Sequence, residues 1–111
     1  MRLTYVIKFV ADMDEAVAFY QDKLGLQLKF QSNEWSEFVT GDTTLALHAA
    51  SERNPAGTCQ LGFAAEDLDG IYAHRDALGL EFTSPPTPQH GVQIARVRDP
   101  DGSEFSVSGD R

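Results

Sequence analysis

Few side chains in this sequence have the chemistry to react or to hold a ligand. His48 is an imidazole on a short apolar run, Cys59 is the single thiol, and His90 follows a cluster of prolines. Glu34, Glu37 and Glu104 lie on or beside strand-like segments, where a general acid and base pair could in principle be drawn from them, but solvated strand faces explain them better. No His-Glu-x-x-His pair is present, and no glycine-rich loop follows a strand to cradle phosphate. Cys59 cannot close a disulfide within the chain or build a thiolate metal cluster, and is expected as a small core residue. His48 could accept a proton or ligate a metal, but a half-buried histidine satisfied by a neighbour is the plainer reading.

The elements that must carry these groups follow from periodicity. Tyr5 to Val10 is a β-branched and aromatic run, which predicts a strand with Tyr5, Ile7 and Phe9 on one face. Asp12, with Glu15 three residues on, predicts a helix start, because side-chain oxygens there satisfy free amide groups. Met13, Ala16, Val17, Tyr20 and Leu24 then recur at spacings of three and four, and Gly25 ends the helix. Leu26 to Phe30, Trp35 to Thr40 and Thr44 to Ala49 read as strands, with Gly41-Asp42 as a turn. Residues 50–58 lack periodicity and form a connector.

The same order then returns. A strand from Gln60 to Ala65 precedes a helix capped by Asp67, whose apolar face holds Leu68, Ile71, Tyr72 and Leu78. Leu80 to Thr83, Val92 to Val97 and Glu104 to Ser108 are the last strands, and residues 85–91 form a proline-rich, exposed connector. Asp12-Met13-Asp14 answers Asp67-Leu68-Asp69, and Leu24-Gly25-Leu26 answers Leu78-Gly79-Leu80. The expected fold is therefore α+β: a single domain, 1–111, of two tandem βαβββ modules, 1–52 and 58–111. These would form a curved eight-stranded sheet, a half-barrel cup with helices on its outer face.

Composition narrows the partners. Nine Lys and Arg against 17 Asp and Glu give a formal charge of −8, so nucleic acid and anionic membrane are excluded and cationic small molecules are favoured. No run approaches the roughly 18 apolar residues of a membrane span, and the first residues do not read as a signal peptide. A cytoplasmic setting is expected.

The paired order, Phe19-Tyr20 before Leu24-Gly25-Leu26, and Asp99-Pro100-Asp101-Gly102 ahead of the last strand are similar to the vicinal oxygen chelate superfamily. That group includes glyoxalase I, extradiol dioxygenases, fosfomycin-modifying enzymes and bleomycin-resistance proteins. The resemblance implies metal ligands at positions that fall here on Tyr5, Ala46, Gln60 and Ser106. None of these is His, Asp or Glu, so the chain is closest in character to metal-free, bleomycin-resistance-like members, and no cofactor is expected. His48 shares the Ala46 face and becomes a ligand if the alignment slips by two; the alternative is then a lyase, isomerase or dioxygenase using a divalent metal.

The expected ligand site is the cup: Tyr5, Ile7 and Phe9 on one wall, then Ala46, His48, Gln60 and Ser106. Trp35 and Phe38 lie on opposite faces of their strand, so one joins the cup and the other the helix side. That composition suits a small, partly apolar organic molecule. Exposed strand edges in so short a chain predict a homodimer.

Overall fold

The computed structural model describes residues 1–109; Asp110 and Arg111, the end of the second expected module, lie outside the described residues. The fold is α+β and repeats a βαβββ order twice. The chain divides into two compact units, one spanning Thr4–Gln60 and the other taking Leu61 onward with Met1–Leu3.

In the first unit, β1 (Arg2–Val10) leads to α1 (Met13–Ala18), a π-helical turn (Phe19–Lys23), and strands β2 (Gln27–Gln31), β3 (Trp35–Val39) and β4 (Thr44–Ala49). The strand order is β2-β3-β4-β1, with β4 parallel to β1 and antiparallel to β3. Asp12 accepts a 3.0 Å hydrogen bond from the Glu15 amide and so caps α1. One face of this sheet carries Val10, Phe38 and Leu47, which pack under Val17, Met13 and Tyr20. Phe38 and Leu47 are fully buried, each side chain stabilising the unit by about 1.5–3 kcal/mol on transfer from water.

The π turn alters the expected apolar stripe. The Leu24 amide donates to the Phe19 carbonyl, five residues back, at 3.3 Å. The extra residue in that turn rotates the sequence about the axis, so Tyr20 still reaches Phe38 at 5.9 Å between ring centroids while Phe19 and Leu24 are exposed.

In the second unit, β5 (Cys59–Ala65), whose first two residues are counted with the first unit, precedes α2 (Leu68–Ala73), α3 (Arg75–Leu78), β6 (Glu81–Gln89), β7 (Val92–Arg98) and β8 (Glu104–Gly109), in the order β5-β8-β7-β6. Asp67 caps α2 as Asp12 caps α1, accepting from the Gly70 amide at 3.0 Å. Ala65, Leu68, Ala95, Val97 and Val107 form the core beneath it.

Three expectations are corrected. The proline-rich stretch is not a connector: Pro85, Pro86 and Pro88 belong to β6, the last strand in the order, and the adjacent Pro85 and Pro86 fall where its register with β7 shifts, between Ser84 and Thr87. His90 and Gly91, both at positive φ (51° and 83°), make the tight turn from β6 to β7. The second helix breaks at His74, so Leu78 falls outside the apolar face and is exposed. Cys59, at the first position of β5, is exposed rather than part of the core.

Candidate functional site

Register decides which side chains meet. On β1 and β4, Phe9 lies opposite His48, Ile7 opposite Ala46 and Tyr5 opposite Thr44. On β4 and β3, His48 lies opposite Trp35 and Ala46 opposite Glu37. Directly opposed residues point to the same side of a sheet. Leu45, Leu47 and Phe38 face the helix, so Tyr5, Ile7, Phe9, Trp35, Glu37, Ala46 and His48 share the other face, where Phe9 and Ala46 are buried and the other five half-buried.

Trp35 is the centre of that face. The turn before it fixes its backbone: Ser32 Oγ donates to the Trp35 carbonyl at 2.8 Å, and the Trp35 amide donates back to Ser32 Oγ at 3.1 Å. The indole ring stands 6.2 Å from Tyr5 and 5.9 Å, edge to face, from His48, and His48 in turn lies 5.3 Å from Phe9. These separations are those of attractive aromatic pairs.

A carboxylate is set among these rings. The Trp35 indole N–H donates to Glu37 Oε2 at 2.8 Å, while Lys29 Nζ approaches Oε1 at 3.8 Å. The Glu37 side chain is only 16% exposed, against 62% for Lys29, so the indole is the firmer of its two partners. Burial, and secondarily the Glu37 charge, push the Tyr5 phenol above its ordinary 10.0, so Tyr5 stays a neutral donor.

His48 has a defined tautomer when neutral. Its Nδ1 lies 2.8 Å from the Ala49 carbonyl oxygen. A carbonyl only accepts, so Nδ1 carries the hydrogen and Nε2 keeps its lone pair. The face therefore offers aromatic surface, one anionic oxygen pair, a phenol donor and an imidazole acceptor.

The remaining expected site residues are placed elsewhere. Phe38, not Trp35, is the helix-side partner of the pair, fully buried against Tyr20. Gln60 is half-buried at the end of the first unit. Ser106 belongs to the second unit, on the face of Gly62 and Arg96, beside an ionic ladder. There Arg96 Nε donates to Glu104 Oε1 at 2.9 Å, and Arg98 reaches Glu81 at 2.6 Å and Glu104 at 3.8 Å. Chiefly through the Arg96 hydrogen bond, the Glu104 carboxyl is held below its ordinary 4.5.

Glu37 is the residue that sequence reasoning passed over as a solvated strand face. The available signal was its spacing, two residues from Trp35 on a strand, which puts indole and carboxylate on one side. Among the described residues no group of three or more His, Cys, Asp or Glu gathers as a metal-binding set.

The description of the Glyoxalase/Bleomycin resistance protein/Dioxygenase superfamily matches residues 2–107. The chain belongs to that superfamily. Among its relatives, the uncharacterised Bacillus subtilis protein YraH is 27% identical, covering 96% of this chain and 97% of its own. A probable lactoylglutathione lyase of Vibrio parahaemolyticus is 29% identical, over 91% and 85% of the two chains. A crystal structure of a superfamily member from Vibrio splendidus superimposes with a TM-score of 0.74 at 16% identity, covering 98% of both chains. Methylmalonyl-CoA epimerase from Mycobacterium tuberculosis gives a TM-score of 0.76 at 18% identity, over 99% and 88%. Both structures share the superfamily fold, and at these identities the likeness speaks for the fold alone.

Proposed function

We propose that this superfamily member binds a small, partly apolar organic molecule on the aromatic face of its first unit that carries Trp35 and Glu37, without a metal ion, and that it prefers a cationic one. The observation that carries this reading is Glu37, a largely buried carboxylate that accepts from the Trp35 indole, whose ring in turn contacts Tyr5 and His48. A ligand cation over such rings gains from their quadrupoles and from the carboxylate, and gains more as water is displaced. Lys29, mostly exposed and 3.8 Å from Glu37, is the counter-ion such a ligand would displace. The formal charge of −8 favours the approach of cations at long range.

The donor set does not fit the superfamily's catalytic metal. A divalent ion generally takes three or more N or O ligands, whereas this face has one imidazole nitrogen and a carboxylate already engaged by indole and ammonium. Sequestration of a drug or metabolite is the activity such a site can perform without a reacting centre. The chain is further proposed to act as a cytoplasmic homodimer, in keeping with β2 and β6, each the last strand in its own unit's order.

Trp35 is the only tryptophan and reports directly on the face. Titration of chelator-treated protein with cationic, neutral and anionic aromatic compounds should give a saturable change in its emission, strongest with cations. No saturable change across the panel refutes the binding reading.

One observation favours a second reading. His48 Nε2 keeps its lone pair on the rung next to Glu37, and the Vibrio parahaemolyticus relative is called a probable lactoylglutathione lyase. A metal-dependent lyase, isomerase or dioxygenase would use these two groups. Elemental analysis of protein purified without chelator decides: stoichiometric metal lost in His48→Ala supports an enzyme, and its absence leaves the metal-free reading standing.

A further inference from the structure

Phe30 is carried to the Trp35 face by an irregularity in its strand. Strict alternation would put it on the side of Leu28, which packs against the helix-side cluster. The register of β2 with β3 instead shifts between the two: Leu28 lies opposite Phe38, Phe30 opposite Glu37, and Gln31 opposite Ser36. Lys29 is the extra residue, and a bulge of this kind re-aims the side chains around it. Two contacts agree with this placement. Lys29 Nζ comes to 3.8 Å from Glu37 Oε1, while Gln31 Nε2, back on the helix side, donates to Asp14 Oδ1 of α1 at 3.2 Å.

Exposure across the face is uneven. Phe9 and Ala46 are buried and Glu37 is half-buried, whereas Phe30 is 53% exposed and Val39, two residues beyond Glu37 on β3, is 44% exposed. The margin along β2 and β3 is therefore the part of the face that solvent reaches most freely, and an aromatic ring and a carboxylate share it. Lys29 stays beyond hydrogen-bond distance of Glu37 Oε1, so that oxygen can still take a closer N–H donor. Single exposed apolar side chains are ordinary on a protein surface. Phe30 is set apart by lying directly across from a largely buried carboxylate.

We propose that Phe30 is a further binding residue of this site, and that the ligand class is a planar aromatic cation with N–H donors, such as an aryl amidinium. Its N–H groups donate to Glu37 Oε1 in place of Lys29, and its ring lies against Phe30. The inference rests on the binding reading above and adds to it the margin of entry and the choice among cations. A quaternary ammonium meets the charge but not the acceptor, and a small alkyl amidinium meets both but leaves the Phe30 ring uncovered.

Calorimetric titration of the full, chelator-treated chain tests this, with 2-naphthamidine and 2-naphthyltrimethylammonium as probes and with acetamidine read by its displacement of 2-naphthamidine. Wild type should bind 2-naphthamidine about tenfold more tightly than the quaternary cation, the difference made by a charge-assisted hydrogen bond. Phe30→Ala should weaken 2-naphthamidine roughly fivefold and acetamidine less than about twofold, and Phe30→Tyr should keep the wild-type affinity. A merely structural role for the ring would lower both amidines alike. No saturable binding of any probe, or binding indifferent to Glu37→Gln, refutes the underlying reading and this inference with it. Binding that needs Glu37 but is unchanged in Phe30→Ala, or that is as tight for the quaternary cation, overturns the inference alone. So does a Phe30→Ala variant that sediments as a monomer where wild type is a dimer and still binds 2-naphthamidine unchanged, because Phe30 then serves contact between copies of the chain.

Discussion

Removing the indole donor from Glu37 should expose how firmly the candidate site is built. Trp35→Phe keeps a ring beside Tyr5 and His48 but deletes the 2.8 Å hydrogen bond to Oε2, leaving a carboxylate whose side chain is only 16% exposed with Lys29 alone. A hydrogen bond to a charged group contributes about 1.5–3 kcal/mol, and an acceptor left unsatisfied costs about 1–3 kcal/mol. The Lys29 pair, 62% exposed on its cationic side, offsets at most about 1 kcal/mol. The expected loss in Trp35→Phe is therefore about 2 kcal/mol. Glu37→Gln keeps an acceptor oxygen for the indole and loses only the charge assistance and the Lys29 pair, about 1 kcal/mol. In the double variant the second change has little left to remove, so the two effects should fall short of additive by about 1 kcal/mol. Urea unfolding followed by far-ultraviolet circular dichroism measures this without relying on Trp35 itself. With a urea slope of about 1–3 kcal/mol/M, a 2 kcal/mol loss moves the midpoint by roughly 1 M. A coupling below about 0.3 kcal/mol would mean that indole and carboxylate do not engage, and the reasoning that makes Glu37 a preorganised anion would fail.

Four further outcomes follow from the same geometry. The Tyr5 phenol, raised above 10.0 by burial and then by Glu37, should hold its proton longer in the folded than in the unfolded chain. Stability should thus be unaffected by Tyr5 below pH 10 and fall as pH rises through the raised value; spectrophotometric titration should show Glu37→Gln lowering that value part of the way back. Glu104, lowered from 4.5 chiefly by the Arg96 hydrogen bond, with Thr83 and Arg98 adding to it, contributes stability above its unfolded pKa that is lost as pH falls through the lowered value, and Arg96→Met should diminish this component in acid unfolding curves. Phe38→Ala, at a fully buried position, should cost about 3–5 kcal/mol in thermal unfolding, whereas Phe30→Ala, 53% exposed, should stay within about 1 kcal/mol. Gly109→Ala would put a Cβ 2.7 Å from Leu68 Cβ, and should destabilise the second unit by about 1–3 kcal/mol through overpacking.

The architecture was legible because the repeat is written in residues with local physical jobs. Asp12 and Asp67 both cap helices, accepting amide hydrogens at 3.0 Å, and Gly79 takes the left-handed conformation, φ 72°, that ends α3. What the sequence concealed depends on matters that no short pattern encodes. A π turn differs from an α turn by one residue of hydrogen-bond register, enough to move Leu24 from the core to solvent. Prolines read as a connector unless the strand is known to be the last in its sheet, as β6 is in its unit. Glu37 reads as a solvated charge because its importance comes from β3 pairing with β4 in one register, which puts it opposite Ala46 and one rung from His48. Trp35 and Phe38 were separable to opposite faces by parity alone, but which face each took depended on the helix that Phe38 packs beneath. Of the positions that the family pattern singles out, Ala46 shares a face with Tyr5 in one unit, and Ser106 belongs to the other.

The central claim is that the Trp35 and Glu37 face binds an organic cation without a metal. Calorimetric titration of chelator-treated protein with a cationic aromatic compound, in wild type and in Glu37→Gln, tests it most directly. The account expects saturable binding in metal-free wild type and a loss of roughly tenfold or more in affinity in Glu37→Gln, the effect of one desolvated charge contact. Binding that appears only after a divalent metal is restored, or that is indifferent to Glu37, would contradict it.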